Sequence, residues 1–380
     1  MNHWIITNRH VVIANGKETV DISDHEPLPT FRIAKFTPPP PGKTEDSDFE
    51  SACEFVRDKA DSAYGTPKTG DDPENLNGTA QMFLSLYLAM KSAPPDKADT
   101  LVFIHGFNYS WIDSLRHLAK LHELYVEPSD SPVAQIVYFS WPSFGSQFKY
   151  AADQPVALDS GSVLGRLFKK IGEFYRASFG VRREEDSLAY CGARIHLGAH
   201  SMGNQVLDAF CKIVTGFGGT HLNLFSEVVL LNADADWQVL DAGEPMANLN
   251  QYSDRIHVYS NRKDEALLIS ETTKNRLKRL GRHGPKDMTQ ISSRTVVVDT
   301  TSEITEEQKN AIGSDLFLSN AESILSELTG DLKEAVIHHW GYLYREDVIA
   351  DLKAVLRGIS SSEIDKRVRK ANDLFLLSNG

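Results

Sequence analysis

The chain has 380 residues, of which 41% are apolar and 24% are charged, so it can bury a large core without disulfide or metal support. Acidic residues outnumber basic ones 52 to 40, and the formal net charge of −12 argues against a general nucleic-acid binder and against docking on an anionic membrane. Three widely spaced cysteines, Cys53, Cys191 and Cys211, predict reduced thiols rather than a disulfide framework or a zinc ribbon.

The first predicted elements are two short strands, over residues 3–9 and 31–36, with a polar loop between them. The N-terminus lacks a basic segment followed by a sustained apolar stretch, so no secretory signal is expected. The chain also lacks the roughly 18 consecutive apolar residues of a membrane-spanning helix. These features predict a cytoplasmic protein without a transmembrane segment, while export by a route that uses no cleaved signal stays open.

A proline-rich segment comes next in the chain. Four prolines and a glycine at 38–42 lead into an acidic stretch, and residues 61–78 are rich in Asp, Gly, Pro, Thr and Asn. This composition predicts a loop excursion over residues 41–78. Residues 79–91 predict an apolar helix, which the two prolines at 94–95 bring to an end.

Short apolar runs then alternate with segments of helix length. The runs are β-branched and lack polar alternation, which is typical of parallel strands buried on both faces. Strands are predicted at 100–105, 133–140, 193–198, 227–232, 255–260 and 294–300, and helices near 111–125, 155–179 and 202–215. This alternation predicts an α/β fold with a mostly parallel central sheet and helices on both faces.

The C-terminal part of the chain interrupts this alternation. Residues 301–330 are polar and partly helical in pattern, which predicts an insertion that serves as a possible cap. Two amphipathic helices are predicted at 345–357 and 361–377. We expect one domain over residues 1–360, with the segment 361–380 packed on it as a C-terminal helix.

A serine stands where a buried strand gives way to a helical pattern. Ser201 is flanked by Ala199 at minus two and Gly203 at plus two. A nucleophile elbow needs small residues at these positions, because strand and helix approach each other closely around a sharp turn. The pattern predicts Ser201 as a nucleophile and the backbone N–H of Met202 as an oxyanion donor. The alternative is a capping serine on an ordinary strand-to-helix loop.

A second loop follows the predicted strand at 100–105. It begins with His105 and Gly106, and in this architecture the loop after that strand supplies the other oxyanion donor. We expect that donor to be the N–H of Phe107. His105 and Asn108 are expected to support the loop, although Asn108 is also a common turn residue.

A serine nucleophile needs a base, and the base needs an acid that orients it. In chain order the acid follows the serine, and Asp264 lies just after the strand predicted at 255–260. Asp234 and Asp236 follow the preceding strand and are alternatives. The carboxylates that are not used would cap helices or lie in solvated loops.

The base is expected after the last strand of the sheet. Two neighbouring histidines, His338 and His339, fit this position, and His339 is favoured. Adjacent residues rarely point at one ion, and no HExxH spacing accompanies them, so no metal site and no cofactor are expected.

Two further side chains are candidates for a substrate pocket. Trp141 follows a strand end, where ligand crevices of open sheets form, and His200 directly precedes the predicted nucleophile. Packing of Trp141 against the rigid turn at Pro142 is an equally good explanation of that residue.

Several stretches together resemble a known family. GAHSMGNQV, FIHGFNYS, FSWPS and VYSNRKDEALLIS are similar to the bacterial α/β-hydrolases of unassigned function that share an H-S-M-G-N elbow. The resemblance implies an α/β-hydrolase fold with extra N-terminal strands and inserted helical segments. It maps the acid to Asp264, and the spacing to an aliphatic-x-x-Asp segment at 348–351 favours His339. Trp340 and Gly341 depart from the family pattern, which keeps His338 in consideration.

These residues predict a serine hydrolase that uses a Ser-His-Asp triad and an acyl-enzyme intermediate. The expected substrate is a small-molecule or lipid carboxylic ester, as for an esterase or lipase. Two alternatives remain, namely a catalytically silent scaffold that binds or assembles partners, and a phospholipase effector directed at lipid. The sequence leaves the substrate and the oligomeric state open.

Overall fold

The computed structural model describes eight stretches of the chain. They are residues 2–14, 16–56, 70–143, 150–179, 192–214, 223–312, 331–371 and 373–378.

A single large sheet runs through the described part of the chain. From one edge to the other its eleven strands are β12 (Arg367–Ala371), β13 (Leu374–Leu377), β11 (Thr295–Asp299), β10 (Ser253–Ser260), β9 (Phe225–Leu231), β8 (Ile195–His200), β6 (Asp99–Ile104), β7 (Val133–Ser140), β1 (His3–Thr7), β4 (Arg32–Phe36) and β5 (Cys53–Phe55). The eight strands from β13 to β1 are parallel to one another. Strand β12 at one edge, and β4 at the other, run antiparallel to this set, and β5 runs antiparallel to β4.

Helices cover both faces of the sheet. They are α1 (Asp46–Ser51), α2 (Gly78–Ser92), α3 (Trp111–Tyr125), α4 (Tyr150–Phe179), α5 (Gly203–Val214), α6 (Glu265–Ile269), α7 (Leu280–His283), α8 (Glu306–Ala311), α9 (Leu332–His339), α10 (Gly341–Tyr344) and α11 (Glu346–Leu356). Successive strand residues point to opposite faces, so Val102 and Phe103 of β6 enter different cores. Phe103 packs in the core formed with α3, α9 and α11, and Val102 in the core formed with α2, α4 and α5.

The central strands β6 and β7 are buried along their whole length because both of their faces are covered. Every residue of β6 and of β7 is buried. Such strands read as continuous apolar runs, which is why the sequence predicted a parallel sheet. The prediction of an α/β fold with a mostly parallel sheet is confirmed.

The order of the strands reverses beside β6. From β6 the chain passes to β7 on one side, and it later returns to place β8 on the other side. In open α/β sheets such a reversal leaves a crevice at the carboxyl ends of the strands, where ligands bind. The loop that starts at His105 and the turn at Ser201 both leave the sheet at this point.

The prediction of a helix over 361–377 is wrong, because this segment forms the strands β12 and β13. Phe375 and Leu377 are buried while their neighbours are partly exposed, which is the period of a strand. Strand β13 pairs in parallel with β11 and gives that strand a hydrogen-bonding neighbour. A contact so distant in sequence leaves no local signal, and the segment is part of the sheet rather than a helix packed on it.

Two predicted loops contain regular structure. The excursion over 41–78 includes α1 and the edge strand β5, while its residues 57–69 lie outside the described part. The polar loop between the first two strands contains a hairpin of β2 (Val11–Ala14) and β3 (Lys17–Val20). The possible cap at 301–330 begins with α8, and its residues 313–330 lie outside the described part. None of the described helices is long and apolar enough to span a bilayer.

A repeated Arg-Ile-His tripeptide forms two buried charge clusters where β8 and β10 begin. Arg194 and His196 bind Asp99 on the neighbouring strand, with Nε–Oδ2 and Nε2–Oδ2 distances of 2.9 and 3.1 Å. Arg255 and His257 bind Glu227 in the same way. Burial raises the pKa of both carboxyl groups, but the hydrogen bonds and charges of the His and Arg partners outweigh it and leave each pKa below its usual value.

Asp99→Asn is expected to lower the free energy of unfolding at neutral pH. The pKa of Asp99 is depressed in the folded state, so its contribution is present above the unfolded pKa of about 3.9 and disappears as the pH falls through the folded pKa. Urea titrations of wild type and variant between neutral and acidic pH measure the difference. A difference that stayed constant down to the lowest pH would show that the carboxylate charge is not what stabilises the fold.

Candidate active site

Ser201 occupies a strained turn between β8 and α5. Its backbone φ is +50°, a left-handed conformation that a residue with a side chain rarely adopts. The Ser201 N–H donates to the Leu231 carbonyl at 3.0 Å, and the Ser201 carbonyl accepts from the N–H groups of Asn204 and Asp234 at 3.0 and 3.1 Å. These bonds hold the turn in place, so the strain is supported by the surrounding sheet.

Two glycines let the β6 loop lie directly against this turn. A Cβ atom on Gly203 would lie 2.6 Å from the His105 carbonyl oxygen, and one on Gly106 would lie 2.9 Å from Cβ of Ser201. Neither distance is possible for a real side chain, so both positions require glycine. The structure therefore brings the predicted nucleophile and the predicted oxyanion loop into van der Waals contact.

The backbone around the serine offers a donor for an oxyanion. Met202 is fully buried, and no described residue accepts a hydrogen bond from its N–H. Helix α5 begins at the next residue, so its positive dipole end lies at the same place. Phe107, the other predicted donor, follows Gly106 in the loop that touches Ser201 and is also buried.

His105 and Trp141 form hydrogen bonds that support the predicted oxyanion loop. The Trp141 N–H donates to Nε2 of His105 at 3.1 Å, so Nδ1 carries the ring hydrogen, which it donates to the Gly106 carbonyl at 2.7 Å. The Trp141 indole N–H donates to the His105 carbonyl at 2.9 Å. Burial lowers the pKa of His105 well below its usual value, and the ring is neutral. Trp141 is completely buried, and its role in a substrate pocket stays a prediction.

Asp264 and His339 form a buried carboxylate–imidazole pair. The distance from Nδ1 of His339 to Oδ2 of Asp264 is 2.7 Å. The other carboxylate oxygen, Oδ1, caps α6 by accepting the N–H of Leu267 at 2.9 Å, which fixes the direction of the side chain. Because the carboxylate accepts from Nδ1, the hydrogen stays on that nitrogen and Nε2 is left with a lone pair. A general base needs this tautomer.

The rival residues have other partners. Asp234 accepts a hydrogen bond from Ser270 at 2.7 Å and lies 3.6 Å from the Arg279 guanidinium. Asp236 is half-buried and caps a turn through the N–H of Gln238. The imidazole of His338 turns to Asn261, whose side-chain N–H donates to Nδ1 at 3.0 Å.

His200 lies between the serine turn and His339. Its Nε2 donates to the His339 carbonyl at 3.1 Å, and the two ring centroids are 4.8 Å apart. Burial, followed by the neighbouring His339, lowers the pKa of His200 well below its usual value. The His200 side chain has no exposed surface, and its role in a substrate pocket also stays a prediction.

Ser201 and His339 are both almost completely buried, and within the described part of the chain they make no hydrogen bond with each other. Ser201 is 6% exposed and His339 is 4% exposed. No described residue makes a hydrogen bond to the Ser201 hydroxyl, so that group is available to a ligand. In ligand-free sites the bond between nucleophile and base is often long and tightens only with substrate.

Two residues near the site gave no signal of their own in the sequence analysis. Asn232, at the end of β9, donates to Oδ2 of Asp264 at 2.8 Å. Tyr109, at the end of the oxyanion loop, accepts a hydrogen bond at its hydroxyl from the indole N–H of Trp340 at 3.1 Å. The only local hint at Asn232 is its residue type, because asparagine just after a strand often adopts a positive φ, which here is 43°.

The Tyr109 hydroxyl belongs to a fully buried chain of polar side chains. It is hydrogen-bonded to Tyr342, whose hydroxyl lies 3.0 Å from Nε2 of His117, and Nδ1 of His117 lies 2.7 Å from the Tyr138 hydroxyl. Burial lowers the pKa of His117 to about 3, so its ring is neutral. The chain joins the oxyanion loop to the segment that follows His339.

Tyr109→Phe is expected to destabilise the protein by about 1–3 kcal/mol, because it leaves the buried N–H of Trp340 without an acceptor. Urea denaturation followed by far-UV circular dichroism measures the change. Tyr344→Phe, at a tyrosine of the neighbouring helix, provides the comparison for loss of a hydroxyl. A free energy of unfolding within error of the wild type in Tyr109→Phe would contradict a role for this bond.

A sequence model of one protein family matches residues 88–331, more than half of the chain. The family is described as an alpha/beta hydrolase of unknown function, DUF900. The match includes Ser201 and Asp264 and ends before His339. No curated protein matches the chain.

Proposed function

The chain belongs to the DUF900 family of α/β-hydrolases, whose function is unknown, and from that premise we propose that it is a serine hydrolase of carboxylic esters. The observation that carries the proposal is the 2.7 Å bond between His339 and the buried Asp264. Asn232 donates to Asp264 and directly follows Leu231, whose carbonyl accepts the N–H of the strained Ser201 turn. A nucleophile, a base and an orienting acid in this arrangement suit acyl transfer.

In the proposed mechanism, Nε2 of His339 takes the proton of the Ser201 hydroxyl while Oγ attacks the carbonyl carbon of the ester. The N–H groups of Met202 and Phe107 donate to the oxyanion, and each contributes about 3–4 kcal/mol to lowering the barrier. His339 then gives the proton to the leaving alcohol. A water molecule activated by His339 releases the acid and regenerates Ser201.

Asp264 holds His339 in the tautomer that this cycle requires. Its carboxylate also stabilises the positive imidazolium that forms at each proton transfer. Full burial of Asp264 strengthens that interaction, because little water screens it. Esters are proposed ahead of amides because an alkoxide leaves more readily than an amine, and the proposed substrates are small-molecule or lipid esters.

A fluorescent fluorophosphonate, which reacts with activated serines, tests the proposal. We expect one label per chain, and mass spectrometry is expected to find it on the peptide that contains Ser201. The labelled protein should lose its hydrolysis of p-nitrophenyl esters in the same proportion. Heat-unfolded protein is the control for non-specific reaction. A folded protein that takes up no label would instead favour a non-catalytic scaffold.

A further inference from the structure

The end of α9 is held by side chains as well as by the backbone. The last four carbonyl groups of a helix have no partner within it and need hydrogen-bond donors elsewhere. At the end of α9, the Val336 carbonyl accepts the N–H of Trp340 at 2.8 Å. The carbonyls of His338 and His339 accept from side chains that belong to two different strand ends.

Asn232 supplies the first of these side-chain contacts. Its Nδ2 donates to the His338 carbonyl at 3.0 Å and to Oδ2 of Asp264 at 2.8 Å, so both hydrogens of the amide are used. Its backbone N–H continues the sheet by donating to Tyr259 at 3.1 Å. One rigid amide group therefore fixes the distance between the acid and the helix end that carries the base.

His200 supplies the second contact. The His339 carbonyl can only accept, so Nε2 of His200 carries the ring hydrogen and donates it at 3.1 Å. The other ring nitrogen, Nδ1, is buried and has no partner among the described residues. His200, which directly precedes the proposed nucleophile Ser201, is therefore hydrogen-bonded to the backbone of His339, the proposed base.

We propose that Asn232 and His200 are positioning residues that together hold His339 against both Asp264 and Ser201, an arrangement we name the helix-end clamp. This inference rests on the proposed function. The acid, the base and the nucleophile come from three separate parts of the chain, and a displacement of about 1 Å in such a site can lower the rate about 100-fold. The clamp bonds all three parts together through two side chains.

Variants that remove only the donors test the clamp. Asn232→Gly deletes the amide and tolerates the positive φ of this position, whereas alanine there would add backbone strain. His200→Met keeps a buried apolar side chain of similar length without an N–H. His200→Gln places an amide N–H close to the position of Nε2 and should restore the bond.

Labelling with the fluorophosphonate at several probe concentrations separates its maximal rate constant from its half-saturating concentration. Asn232→Gly and His200→Met are each expected to lower the maximal rate constant about tenfold, the usual size for a hydrogen bond to a charged or finely positioned group. The half-saturating concentration should stay within about twofold, because neither side chain is exposed to the probe. His200→Gln should recover most of the rate.

His196→Met is the matched control. His196 lies on the same strand as His200 and is equally buried, but it binds Asp99 at the opposite end. Its replacement should lower the thermal midpoint without changing the labelling rate constant. Wild type and Ser201→Ala in the same series test the proposed function independently of the clamp. The proposed function fails if the wild type is not labelled, or if Ser201→Ala is labelled as fast as the wild type.

A second measurement, by nuclear magnetic resonance, tests the position of His339 without a chemical reaction. In protein labelled with ¹⁵N-histidine, the proton on Nδ1 of His339 should give a downfield resonance because it is hydrogen-bonded to Asp264. We expect Asn232→Gly to weaken or broaden this signal and His196→Met to preserve it. Folded Asn232→Gly and His200→Met proteins that keep both the wild-type rate constant and this resonance would overturn the clamp.

Discussion

Ser201→Ala is expected to abolish labelling and to lower the rate of ester hydrolysis by about 10⁴–10⁶-fold, which is the range seen when a catalytic serine is removed. The residual rate would come from the oxyanion donors and from substrate binding. The fold should be unaffected, because no described residue depends on the Ser201 hydroxyl for a hydrogen bond and alanine has the same backbone limits.

Steady-state hydrolysis of p-nitrophenyl esters and a thermal melt measure both parts of this expectation. Ser51→Ala, at an exposed serine of α1, is the matched control and should behave as wild type. If Ser201→Ala retained wild-type turnover in a preparation free of contaminating esterases, Ser201 would not be the nucleophile. The site around it would then need another interpretation.

Asp264→Asn is expected to lower kcat about 10⁴-fold while leaving the protein folded. The amide of asparagine can still cap α6, since asparagine is as good at that position as aspartate. It cannot keep the hydrogen of His339 on Nδ1 as a carboxylate does. The hydrogen moves to Nε2, and the base then has no lone pair for the Ser201 proton.

The choice between the candidate acids is tested in the same assay. Asp236→Asn alters a half-buried turn residue that, within the described part of the chain, makes no hydrogen bond or ion pair with either histidine, so its kcat should stay within about threefold of wild type. An inactive Asp236→Asn beside an active Asp264→Asn would reverse the assignment. Thermal melts of both variants exclude unfolding as the cause of lost activity.

The sequence predicted those parts of the site that have a local signature. A buried strand that ends in a turn with Gly203 two residues after a serine can be recognised without knowing the rest of the fold. Asp264 was favoured because it lies in the loop after a strand, although Asp234 and Asp236 follow the preceding strand in a similar way. His338 and His339 differ in the partner to which each imidazole ring is hydrogen-bonded, and only that partner identifies the proposed base. Both partners lie 75 or more positions away in the sequence.

The remaining features depend on contacts that are distant in sequence. A helix was predicted where β12 and β13 form, because the amphipathic pattern of this segment is too short to distinguish a helix from a strand. The pairing of β13 with β11 and β12 decides the conformation of the segment. Trp141 and His200 were assigned to a pocket from their positions at strand ends, whereas the structure uses their N–H groups to hold backbone carbonyls. A hydrogen bond of this kind leaves no periodicity in the sequence.

The left-handed backbone at three strand exits has a consequence for engineering. Asn108, Ser201 and Asn232 follow the neighbouring strands β6, β8 and β9, and each has a positive φ. A residue other than glycine costs about 1–2 kcal/mol in this conformation. At Ser201, whose hydroxyl has no hydrogen-bond partner among the described residues, glycine would relieve that strain while removing the proposed nucleophile. Selection for thermal tolerance alone would therefore favour loss of the proposed nucleophile at this position. A durable biocatalyst should be sought through changes elsewhere, under a screen that scores turnover.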